Sequence, residues 1–161
     1  RATDKISFQV HGGLEDRQFL NSGAGDAINP VAGGVIQYQP FETTKLSLSA
    51  DHAVGVSLLG ASGSQNQVTE STDFRGSINQ RLLEKLNLDL GGGYHKVTYV
   101  TSGALSPSRE DEFFSFHVRL SCLFLKRGTV AVFYQISDNS STQPGFTFSS
   151  SQVGVEVGYR Y

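Results

Sequence analysis

The chain has no tryptophan, no methionine, one cysteine and four prolines in 161 residues. A single cysteine, Cys122, excludes an internal disulfide and a cysteine-based zinc site. Charge is also scarce: charged residues make up 17% of the chain, against roughly 25% in an average soluble domain. The formal net charge of −2 leaves no basic stripe, so no nucleic-acid partner is expected. Apolar residues reach only 38%, below the usual ~45–50%. The longest apolar run is the five residues Val130–Tyr134, whereas a membrane-crossing helix needs about 20. The chain begins at Arg1 with no apolar signal stretch and reads as a processed mature form.

What the chain does hold is aromatic residues, glycine and serine. With 11 Phe, 6 Tyr and little charge, it does not have the composition of a disordered segment. Its length suits one domain, 1–161, with no linker or break in composition.

Alternation with period two is the dominant pattern. From 151 to 161, Val153, Val155, Val157, Tyr159 and Tyr161 share one face, while Gln152, Gly154, Glu156, Gly158 and Arg160 share the other. The same reading gives seven further strands, near 5–15, 31–39, 44–56, 67–81, 85–100, 110–124 and 129–136. Many run to 11–16 residues, longer than the roughly 5–6 of soluble strands and enough for a tilted membrane-crossing strand of about 9–11. Tight connections at 40–43, 82–84 and 125–128 alternate with long polar ones at 16–30, 57–66, 101–109 and 137–148. Outer-membrane barrels alternate short periplasmic turns with longer external loops in this way. The expected fold is therefore all-β: a transmembrane, antiparallel, up-and-down barrel of eight strands.

Alternation alone does not say which face points outward. A soluble calycin-like barrel that binds a small hydrophobic ligand would turn the apolar face inward. Two features favour the reverse. Gly13, Gly91, Gly93, Gly154 and Gly158 fall on the polar face, where a narrow interior needs small residues. The same face carries Lys45, Arg75, Arg81, Arg119 and Arg160 against Glu15, Asp51, Asp73, Asp89 and Glu156, a balance that suits an enclosed surface. With His117, these form the expected interior polar network. Phe8, Tyr38, Phe41, Tyr99, Phe113, Phe124, Tyr159 and Tyr161 lie at or near strand ends, where membrane barrels carry aromatic girdles.

The stretch from Val132 to Ser140, then Pro144-Gly145-Phe146, then Val153 to Tyr161, resembles the last hairpin of bacterial outer-membrane proteins of the putative β-barrel porin 2 type. The resemblance implies a bacterial outer-membrane location and a porin-like or export-associated role. It also implies that Tyr161, ending an alternating strand, is a signal read by the outer-membrane assembly machinery. Members of that family are usually longer than this chain.

No catalytic constellation emerges, and no enzyme activity, cofactor or metal is expected. No two of His11, His52, His95 and His117 stand at metal-ligand spacing. Asp51 and His52 are adjacent and so face opposite sides of a strand. Gly60-Ala61-Ser62-Gly63-Ser64 lacks the second glycine of a nucleophile elbow. Two functional versions follow. Eight strands can close alone around a filled interior, the version favoured by barrel width, and serve as a membrane anchor or display ligand-binding loops at 16–30 and 137–148. Alternatively, the chain is the C-terminal part of a longer barrel whose inner charges line a pore. The partners in both are outer-membrane lipid and the assembly machinery.

Overall fold

A computed structural model describes residues 5–17, 27–57, 67–101, 109–124 and 127–160. Eight antiparallel strands form one sheet in chain order, β1-β2-β3-β4-β5-β6-β7-β8. They are β1 (Ile6–Arg17), β2 (Ala27–Phe41), β3 (Thr44–Ser57), β4 (Gln67–Leu82), β5 (Leu86–Thr101), β6 (Arg109–Phe124), β7 (Gly128–Ser141) and β8 (Phe148–Tyr159). Connections of nine, two, nine, three, seven, three and six residues separate them, so long and short still alternate. An up-and-down sheet collects all the long connections at one end and all the short ones at the other.

Two strands run four or more residues past an end that the alternation predicts. β2 starts at Ala27 rather than 31, because Asn29 and Pro30 pair with Glu15 and Leu14 despite reading as loop residues. β7 runs to Ser141 rather than 136. Its Ser137-Asp138-Asn139 segment is polar yet bridges β6 and β8, pairing with Ser115, Phe114 and Phe113 on one side and Ser150, Ser149 and Phe148 on the other. The expected loops at 16–30 and 137–148 are correspondingly shorter. Arg109 helps to fix the last connection: its guanidinium lies 3.5 Å from the Phe146 ring centroid and 4.8 Å from that of Tyr99. Its Nε also donates to Asp111 Oδ1 at 2.9 Å. Between β4 and β5, Leu83 and Glu84 take φ values of 47° and 55°, a left-handed pair that reverses the chain in three residues.

The expected closure is not present. No pairing joins β1 to β8, so the sheet is open along both edges. Nor does a second layer cover it among the described residues. Ala131 is the one buried hydrophobic residue among those described, whereas Phe8, Val10, Leu14, Val153, Val155 and Val157 are each more than two-thirds exposed. Among the described residues no core is packed on the apolar face, where a two-layer domain would have one.

Candidate functional site

The strand register sorts residues unambiguously between the two faces. One is apolar over a limited height. At its upper limit, towards the long connections, Phe74, Tyr94 and Phe114 stand side by side on β4, β5 and β6. Immediately above them, the next row on the same face is His52, Thr72, Lys96 and Glu112. This row and its neighbours are ionic: Lys96 Nζ reaches Glu110 at 2.7 Å and Glu112 at 3.7 Å, and His52 Nε2 lies 3.5 Å from Glu70. On β6 the apolar run extends from Phe114 down to Phe124. Those ten steps cover about 34 Å of strand, or roughly 26 Å of height at a tilt of ~40°. The apolar belt of an outer-membrane barrel is about 25 Å tall.

Over β3 to β6 this limit follows the single row of His52, Thr72, Lys96 and Glu112, but from one edge of the sheet to the other it crosses the hydrogen-bonded rows. Along the positions of the apolar face, the first polar side chain is Asp16 on β1 but Ser151 on β8. The row of paired residues that starts at Ser151 arrives on β1 at Phe8. The polar limit therefore shifts by eight residues over seven strand-to-strand steps. With a rise of about 3.4 Å and a strand spacing of about 4.8 Å, a straight limit of that slope corresponds to strands tilted by roughly 40°. Membrane barrels tilt their strands by about 35–45°.

The other face carries the predicted polar set. Glu15, Lys45, Asp51, Asp73, Arg75, Arg81, Asp89, His117, Arg119 and Glu156 all fall on it by register, and Arg160 follows β8. Several meet. Arg75 Nη2 donates to Asp73 Oδ1 at 2.8 Å, and Arg119 Nη2 to Glu156 Oε2 at 2.7 Å. His117 Nε2 lies 3.0 Å from Asp89 Oδ1. Lys45 and Arg81 make no ion pair among the described residues. Tyr161, the expected assembly signal, lies outside the described residues.

Two histidines absent from the predicted network belong to it. His11, Gly33, Asp51, Asp73 and His95 form one transverse row across β1 to β5. The two aspartates stand directly opposite each other, and a histidine flanks each: His11 Nε2 is 3.6 Å from Asp51, and His95 Nδ1 is 3.0 Å from Asp73. His95 Nδ1 is buried and not aligned for a hydrogen bond, so that contact is one of proximity. His11 reaches Asp51 across an intervening strand because Gly33 leaves the path open; a Cβ there would sit 2.5 Å from the imidazole and 2.2 Å from the carboxylate. Gly91, directly opposite His117 on the neighbouring strand, leaves room for that ring, which would be 2.3 Å from a Cβ there. Asp51 and His52 do face opposite sides, His52 turning outward to Thr72 and Glu70. Around this row a recess of about 570 Å³ is lined by Ser47, Ser49, Asp73, Arg75, His95 and Phe113, among others.

The aromatic expectation needs correction at two positions. Tyr99 and Phe113 fall on the polar face, paired with Arg109 and Asn139. The upper aromatic row is instead Phe74, Tyr94 and Phe114. Glycine is also not confined to the polar face: Gly34, Gly76 and Gly92 interrupt the apolar one, beside Val10, Leu48 and Phe116. No protein-family profile matches the chain, and no curated protein matches it.

Proposed function

We propose that the protein is an integral outer-membrane β-barrel wall, porin-like and without catalytic activity, with its apolar face against lipid and its polar face lining a water-filled interior. The observation that carries this reading is the oblique apolar band: about the right height, capped by aromatic rings and then by charge, and inclined to the strands by the angle a bilayer requires. A large apolar surface with no covering layer needs a non-aqueous partner. Contacts that span two strands, His11 to Asp51 and Arg119 to Glu156, occur on the polar face. They favour a sheet curved towards that face, the opposite of a soluble calycin-like barrel. The expected likeness of the closing hairpin to porin 2 barrels points the same way.

The open edges bear on the choice between a filled barrel and a pore. Unpaired backbone groups are not tolerated in lipid, so β1 and β8 must pair in the membrane, either with one another or with further strands. The gap between them, and polar-face side chains as open as Arg75 at 69% and His11 at 59%, favour a wide interior. Planar-bilayer recording tests this directly. Steady open channels are expected after insertion of the detergent-purified protein. An inserted protein that holds the bilayer sealed would show the filled version instead.

A further inference from the structure

We propose, resting on the pore reading above, that His11, His95 and His117 form a pH-controlled selectivity element that gives the lining an affinity for small anions only when they are protonated.

The polar face carries fixed charges of both signs. Lys45, Arg75, Arg81, Arg119 and Arg160 balance Glu15, Asp51, Asp73, Asp89 and Glu156, five against five. Arg109 and Asp111, higher on β6, form a further neutral pair. β2 and β7 contribute no titratable side chain to this face at these levels among the described residues. These named fixed groups therefore sum to zero while the histidines are neutral, and Lys5 adds a positive charge beside Lys45 at the short-turn end. Histidine is the side chain whose ordinary charge change falls between pH 5 and 8, and three of the four histidines stand on this face.

Their positions concentrate the effect. His11 and His95 flank the opposed carboxylates Asp51 and Asp73 in one row, and His117 stands beside Asp89. Around these rings four carboxylates, Asp51, Asp73, Asp89 and Glu156, face two guanidiniums, Arg75 and Arg119, the latter directly opposite Asp89 and paired with Glu156. With neutral imidazoles the local balance is two negative charges. With all three protonated it is one positive charge, and the local sign inverts. Gly33 and Gly91 exist in the fold as the gaps that let two of these rings reach their carboxylates. The fourth histidine, His52, faces outward beside Glu70 and supplies an internal control.

The test is the reversal potential of the inserted protein under a KCl gradient at pH 7.5 and at pH 5. The chloride-to-potassium permeability ratio is expected to rise several-fold on acidification. His11→Gln/His95→Gln/His117→Gln should conduct with a ratio that no longer responds to pH, each single variant should lose part of the response, and His52→Gln should retain all of it. A conductance whose selectivity is the same at both pH values, or a response removed by His52→Gln, would overturn this inference while leaving the pore in place. Absence of conductance at either pH would overturn the pore reading, and the inference with it.

Discussion

Val155→Arg is expected to lower the stability of the lipid-refolded protein by about 2–4 kcal/mol, the cost of an arginine near the middle of a barrel's lipid-facing belt. Val155 lies between Val153 and Val157 on the apolar face of β8, and the side chain is 69% exposed. Under the proposed lipid-facing arrangement that exposed surface is contact area with acyl chains, and a guanidinium there would have neither water nor a partner. Gln152→Arg, on the opposite face of the same strand, should stay within about 0.5 kcal/mol, as surface changes usually do. Denaturant titration of both variants in the same vesicles checks the contrast. Equal costs for the two would contradict the assignment of faces.

Gly91→Leu should be the most damaging change on the polar side. A Cβ at 91 would sit 2.3 Å from His117 Cε1 and 2.8 Å from its Nε2. His117 must then leave its place beside Asp89, so the substitution combines overpacking, typically about 1–3 kcal/mol, with loss of a charge-assisted contact. Gly158→Ala is the matched comparison, because nothing lies within 4 Å of a Cβ there. It should be neutral or gain up to about 1 kcal/mol by removing backbone freedom from the unfolded chain. Refolding midpoints of the two variants measure the difference. If Gly91→Leu were as harmless as Gly158→Ala, His117 would not be held where the structure places it.

Strand identity was legible in the sequence wherever a strand lies inside the apolar band, because alternation is the signature of two unlike faces. It failed where strands leave the band. Ser137, Asp138 and Asn139 read as loop because their outward positions are polar, yet β7 continues through them to pair with β6 and β8. The oblique polar limit explains why this happens towards the C-terminus: the band ends lowest on β8. Leu14, near the upper end of β1, is still apolar for the same reason.

The candidate site was partly legible. Which charges share a face followed from parity, and the register puts Asp73, Arg75, Asp89 and Arg119 on one side of the sheet. Partnership was not legible, because it depends on register between strands far apart in sequence. Nothing in the sequence aligns His11 with Asp51 across Gly33. A single residue of slip would send every one of these side chains to the other face. Closure was not legible either, since alternation is the same in an open sheet and a closed barrel.

The central claim is that the apolar face meets lipid and the polar face meets water. The absence of native tryptophan makes one measurement decisive: fluorescence of single-tryptophan variants in vesicles of brominated lipid. Val132→Trp, on the apolar face of β7, should be strongly quenched. Phe133→Trp, the next residue on the same strand and on its polar face, should keep most of its emission. Quenching of Phe133→Trp with Val132→Trp untouched, or no quenching of either, would contradict the account.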